Sequence, residues 1–150
     1  MTLYIKKLHP QAVIPTRATA QSAGYDLSAC LTEPLEIPPG ETRMVPTGLA
    51  IQLPEGTAGM VYPRSGLASK FSITLINAVG VIDSDYRGEL KVPLHNHSSA
   101  PFLLHDGDRM AQLVVTPVLF PEVEEVSALT ETNRGTGGFG STGISGKQEE

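Results

Sequence analysis

The chain has no tryptophan, only 5% aromatic residues, one cysteine and just 18% charged side chains. Each scarcity excludes something. A lone cysteine, Cys30, cannot form an internal disulfide, so the fold depends on its core alone, and a reducing, cytoplasmic setting is expected. Cys30 itself reads as a small buried apolar residue. Eleven Lys and Arg against sixteen Asp and Glu leave a net charge of −5, without the basic surplus that a general nucleic-acid binder needs. The lysines near the start precede no apolar core, so neither a signal peptide nor a membrane span is expected. What is present suits one globular domain: 150 residues, 40% of them hydrophobic, enough for a core. Fifteen glycines and twelve prolines break the chain too often for long helices.

The apolar residues alternate with period two. Leu49, Ile51 and Leu53 share one face; Leu90, Val92 and Leu94 alternate with Glu89, Lys91 and Pro93; Ala111, Leu113 and Val115 alternate with Met110, Gln112 and Val114. These short runs, bounded by Gly, Pro, Asn and Asp, predict an all-β sandwich or barrel. Helical turns are expected only at 66–71 and 123–129. Residues 73–83 and 88–94 read as a β-hairpin joined through Ser84-Asp85-Tyr86-Arg87, with Asp83, Asp85 and Tyr86 at its tip. Residues at such a tip are well placed for chemistry, although Asp and Ser also simply favour turns. His95 and His97 share a strand face, but no third metal ligand is spaced to join them.

From Thr130 the apolar alternation stops. Six glycines then fall between Gly135 and Gly146, with Arg134 ahead of them and Phe139 among them. Glycine-dense backbone is costly to order. Its bare N–H groups can wrap phosphate oxygens, Arg134 adds charge, and Phe139 offers a face for a flat base. The segment reads either as a flexible lid over a nucleotide or as a polar tail. Gly135-Thr-Gly137-Gly-Phe-Gly140 fits the G-x-G-x-x-G dinucleotide pattern, but no helical pattern follows it, so that reading fails.

Four more segments stand with this one: Ala23-Gly-Tyr-Asp-Leu27, Pro63-Arg-Ser-Gly-Leu-Ala68, Gly80-Val-Ile-Asp-Ser-Asp-Tyr-Arg-Gly88 and Gly107-Asp-Arg-Met-Ala-Gln-Leu113. In this order, the five resemble the motifs of the trimeric dUTP diphosphatases (dUTPases), over about Leu3 to Gly143. The resemblance implies a compact jelly-roll or distorted β-barrel over residues 1–129 and a flexible arm over 130–150. It implies a homotrimer with sites shared between subunits, and hydrolysis of dUTP to dUMP and pyrophosphate with Mg²⁺.

It also implies roles, each beside a plainer reading. Asp83 matches the carboxylate that activates water. Tyr86 matches the ring beneath the deoxyribose that excludes a 2′-hydroxyl, or packs on the hairpin. Asn77, with hairpin backbone groups such as Val81, reads the uracil edge, or only forms a turn. Arg64, Ser65 and Gly66 meet phosphate oxygens and the scissile bond, or are a loop arginine with a capping serine. Gln112 orients the α-phosphate. Asp26 matches an acid near the metal and sugar end, acting on the metal through water at most or through the site's hydrogen-bond network, with Mg²⁺ held mainly by substrate phosphates. Arg134, Gly138, Phe139, Gly140, Ser141 and Thr142 close over the nucleotide. Asp108 and Arg109 read as a supporting ion pair outside the site. Met110 stands where the family often has a branched apolar residue. Two other readings use the same scaffold: a dCTP deaminase, which needs an added acid and lacks this arm, and a binding protein without catalysis, which should have lost Asp83 or the arm.

Overall fold

The computed structural model of the protein describes residues 1–138. Ten strands and one short helix follow in order: β1 (Tyr4–Lys7), β2 (Tyr25–Ser28), β3 (Leu35–Ile37), β4 (Thr42–Gln52), β5 (Thr57–Pro63), α1 (Ser65–Phe71), β6 (Ile73–Leu75), β7 (Gly80–Ile82), β8 (Glu89–Asn96), β9 (Phe102–Leu104) and β10 (Arg109–Pro117). They pair, antiparallel throughout, into two four-stranded sheets, β1-β4-β8-β6 and β2-β10-β5-β7, plus a β3-β9 ribbon. The fold is all-β, as the alternation predicts.

The alternating residues form one core. Leu90, Val92 and Leu94 of β8 are buried with Val45 of β4 and Leu75 of β6, and they join Leu27, Val61 and Leu113 from the second sheet. Met110, which stands where the family often has a branched apolar residue, is also buried. The β10–β2 register shifts between Arg109 and Ala111, and such a bulge breaks strict alternation. Cys30 is half-buried beside Gly48, and burial pushes its thiol above its ordinary pKa, with the carboxylates of Asp106 and Glu89 adding to the effect.

The expected hairpin is not continuous. β6 pairs with β8, but β7 leaves that sheet and pairs with β5 in the other. The chain turns between them at Asn77-Ala78, where Ala78 takes φ +60° and Val79 N–H donates to the Asn77 carbonyl at 2.6 Å. An alanine in the left-handed region gives no warning in the sequence, since glycine or asparagine is its usual occupant. Asp83 to Arg87 therefore spans from one sheet to the other. The tip itself is a turn, closed by Tyr86 N–H donating to the Asp83 carbonyl at 3.2 Å. The Arg87 guanidinium donates to the carbonyls of Ser84 and Tyr86, at 2.8 and 2.9 Å.

The expected turns at 66–71 form as α1. Those at 123–129 do not, because Val123, Val126 and Leu129 are all exposed and no core draws them into a helix. The compact unit carrying the sheets ends at Leu119, and a second unit begins at Phe120. Its described residues contain turns and no strand or helix.

Asn96 ties the end of β8 to its surroundings. It is fully buried; its Nδ2 donates to the carbonyls of Ile37 and Ala100, each at 2.8 Å, and its Oδ1 accepts from Ser98. Asn96→Ala leaves these buried groups unpaired, at about 1–3 kcal/mol each. A loss of roughly 2 kcal/mol or more is expected, read from the shift of the urea midpoint.

Candidate active site

In the second sheet, β10 lies between β2 and β5, so Gln112 stands directly opposite both Asp26 and Tyr62. Residues opposite each other in a ladder share a face. Leu27 points into the core, so its neighbour Asp26 points away from it. At the end of β5, Arg64 caps α1 with extended backbone and no side-chain cap bond, and Ser65 begins the helix. The capping-serine reading of Ser65 is thereby replaced. These elements meet in an open cleft of about 380 Å³, lined by Asp26, Arg64, Ser65, Gly66, Arg109 and Gln112 together with Ala18, Ser22, Ala23 and Gly24.

Charge in this cleft is arranged around one carboxylate. Arg64 Nε lies 3.1 Å from Asp26 Oδ1, and an Arg109 guanidinium nitrogen donates to Asp26 Oδ2 at 3.1 Å. Arg64 also donates to the Arg109 carbonyl at 3.1 Å. The Arg109 side chain is 58% exposed, so the pair adds little to stability. Its effect is positional. Two guanidiniums face one carboxylate, leaving a local positive surplus in an acidic chain, which suits a polyanion.

Gln112 donates from Nε2 to the Pro63 carbonyl at 3.1 Å. A Cβ on Gly24 would sit 2.6 Å from Gln112 Oε1. Glycine is needed at position 24 so that the glutamine can lie against it.

The Arg109 reading needs correction. Its partner is Asp26, whereas Asp108 Oδ2 accepts the His105 N–H at 2.8 Å. The partners Asp26 and Arg109 are 83 residues apart, and their meeting depends on the β2–β10 register, which no local pattern reveals.

A second cleft, of about 450 Å³, is lined by Met44, Val81, Ile82, Asp83, Tyr86, Glu89, Leu90 and Lys91. Tyr86 donates its hydroxyl to the Glu89 carbonyl at 3.1 Å. Asp83 is exposed beside it. Asn77 lies in the turn before β7 and is not among the lining residues. The two clefts share no lining residue. One chain thus carries two separate clefts: one with arginines, a serine and a glutamine, one with a carboxylate beside a ring.

Of the arm residues, Arg134 Nε donates to the Gly137 carbonyl at 2.9 Å within its own turn, and Gly135 there takes φ +50°. Gly138 ends the described chain, and Phe139, Gly140, Ser141 and Thr142 lie outside the described residues.

No group of three or more His, Cys, Asp or Glu side chains gathers among the described residues. His95 and His97 do share a face, with ring centroids 4.3 Å apart, but each ring has a threonine hydroxyl as partner, Thr42 and Thr74. Both Asp26 oxygens are engaged by arginines. With both its oxygens so engaged, Asp26 is not placed to ligate a cation directly, and a hard divalent cation here would have to be held by a ligand's own oxygens and by water.

The dUTPase family model matches residues 10–143. The chain is 49% identical over 144 residues to the deoxyuridine 5′-triphosphate nucleotidohydrolase of Gloeothece citriformis, covering 96% of this chain and 98% of that one. It is 53% identical to the enzyme of the same name from Desulfitobacterium hafniense, over 88% of each chain. Among solved structures, the dUTPase of Staphylococcus bacteriophage 80alpha with dUPNHPP superposes with a TM-score of 0.88 at 29% identity, covering 95% of this chain and 99% of that one. A mutant dUTPase from phage phi11 of S. aureus, described as coordinating a structural Mg(II) ion, gives 0.80 at 26% identity over 87% of this chain and 100% of that one. The motifs, the strands that carry them and these likenesses agree: the chain belongs to the dUTPase family.

Proposed function

We propose that the protein hydrolyses dUTP to dUMP and pyrophosphate, which limits uracil incorporation into DNA and supplies dUMP for thymidylate synthesis. The observation that carries this reading is the pairing, in one family member, of a doubly arginine-lined cleft with a carboxylate-and-ring tip. Asp83 accepts a proton from a water as its oxygen bonds to the α-phosphorus. The bond from that phosphorus to the bridging oxygen breaks, and pyrophosphate leaves with the electron pair. Arg64 holds phosphate oxygens in a fork, Ser65 bonds the bridging region, Gly66 lets the backbone approach, and Gln112 orients the α-phosphate. Asp26 keeps Arg64 and Arg109 aimed into the cleft. Mg²⁺ would be held mainly by the substrate phosphates, with Asp26 reaching it only through water, and would supply neutralisation of their charge.

Asn77 and the backbone at Val81 read the uracil edge, and Tyr86 lies under the deoxyribose. The working unit is a homotrimer, because two partial clefts on one chain are reconciled if one subunit's Asp83 tip completes another's arginine cleft. The segment from Thr130 onward, with Arg134, Gly138, Phe139, Gly140, Ser141 and Thr142, closes over the nucleotide. The test is pyrophosphate release from dUTP, dCTP, dTTP and UTP, with and without Mg²⁺, together with ammonia release from dCTP. Selective release from dUTP is expected; deamination of dCTP, or no turnover at all, would refute the proposal.

Tyr86→Ala is expected to lower the ratio of kcat/KM for dUTP over UTP far more than it weakens dUTP binding, since it removes the surface against which a 2′-hydroxyl would collide. An unchanged ratio would show that the ring is not the gate.

A further inference from the structure

Tyr86 is 43% exposed. It folds back along its own chain, and its hydroxyl donates to the Glu89 carbonyl at 3.1 Å. That path crosses the α-carbon of Gly88. A Cβ on Gly88 would lie 2.5 Å from Tyr86 Cζ and 3.0 Å from Cε2, and closer still to the hydroxyl oxygen. Carbon atoms not bonded to each other do not approach so near. Yet Gly88 is not among the described glycines with positive φ, which are Gly40, Gly48, Gly56, Gly107 and Gly135. The backbone at 88 would accept alanine. The space above it would not.

The acceptor of the Tyr86 hydroxyl is itself fixed. Glu89 begins β8 opposite a bulge in β4, where the ladder slips between Pro46 and Ala50. Two side chains replace the lost ladder bonds: Glu89 Oε1 accepts Gly48 N–H at 2.9 Å, and Thr47 Oγ1 donates to the Leu90 carbonyl at 2.7 Å. Lys91 Nζ stands 3.6 Å from the other Glu89 oxygen. The ring is thus held at its tip by an anchored strand and seated along its length on a residue with no side chain. Val81, Ile82 and Asp83 line the same cleft.

We propose that Gly88 is a positioning residue for sugar selection: its bare α-carbon seats the Tyr86 ring, and the Glu89 carbonyl pins that ring as a fixed wall beside Asp83. The inference rests on the function proposed above. A steric gate discriminates only while its position is fixed, and a methyl at 88 can be relieved in one easy way, by swinging the half-exposed ring off its seat.

The test compares Gly88→Ala, Tyr86→Ala, the double variant and wild type, by kcat/KM for dUTP and for UTP, with NMR of ¹³C-tyrosine-labelled protein to follow the Tyr86 ring. In Gly88→Ala the ring resonance is expected to shift and the dUTP/UTP ratio to fall about tenfold or more, the scale on which small misplacements act. In the Tyr86→Ala background the same substitution is expected to change the ratio by less than about twofold, as for a residue acting only through its partner. Tyr86→Phe, which keeps the ring but not the pin, is expected to lose part of the ratio. An unmoved ring or an unchanged ratio in Gly88→Ala overturns the inference, as does an equal loss in the Tyr86→Ala background or a full ratio in Tyr86→Phe. Wild-type protein that fails to hydrolyse dUTP overturns the proposed function and this inference with it; a selective wild type beside an equally selective Gly88→Ala overturns this inference alone.

Discussion

Asp83→Asn is expected to fold, to bind dUTP, and to turn it over about 10²–10⁴-fold more slowly than wild type, the range lost when a general base is removed. The structure makes the substitution a clean one. Among the described residues, the contact that shapes the tip at position 83 is made by backbone, the Asp83 carbonyl accepting Tyr86 N–H, and an asparagine keeps it. The side chain is exposed, so no buried network is broken. Asparagine retains size and hydrogen-bonding capacity but cannot accept the proton from an attacking water. The measurements are kcat with dUTP, affinity for a non-hydrolysable imido analogue, and the thermal midpoint. A variant with normal affinity, a normal midpoint and kcat within a few-fold of wild type would remove Asp83 from the role of base.

The sequence reveals what is local and leaves hidden what depends on register. The faces of β8 and β10 can be read because Leu90, Val92, Leu94, Ala111 and Leu113 repeat with the strand's own period, and a buried face keeps that period strictly. The motif segments are likewise contiguous, so Asp83 with Tyr86, and Arg64 with Ser65, are found together without any knowledge of the fold. The crossing of β7 into the second sheet is not legible, because the turn that causes it uses Ala78 at φ +60° where a glycine would have announced it. Nor is the place of Arg109, whose partner Asp26 is reached only through the β2–β10 ladder and its bulge. The segment 123–129 misleads in the opposite direction. Its apolar spacing suits a helix, but periodicity predicts structure only where something waits to cover the apolar face. The Gly88 seat is the subtlest case. A glycine in a tip sequence reads as a turn former, and only the folded-back ring shows that it provides space instead.

Mixing two inactive proteins is expected to produce activity. Arg64→Ala removes a guanidinium from the cleft around Asp26, and Asp83→Asn alters the tip in the other cleft; each variant alone should be nearly inactive for its own reason. The two clefts of a chain share no lining residue, so under the proposed assembly each working site takes its arginine cleft from one subunit and its Asp83 from another. In a trimer re-formed from equal amounts of the two variants, a site is whole when an Asp83→Asn chain supplies the cleft and an Arg64→Ala chain supplies the tip. Random assembly gives about one quarter of all sites that composition. Activity per site should then approach about one quarter of wild type after the chains are unfolded together and refolded, and stay near zero when they are mixed without subunit exchange. The refolded mixture must sediment as the trimer, with both chains present, for the comparison to count. Heterotrimers that form fully yet remain as inactive as either parent would mean that Asp83 and Arg64 of the same chain serve the same site. The two clefts would then have to be joined within one subunit, and the case for a shared site would fall even if dUTP hydrolysis itself stands.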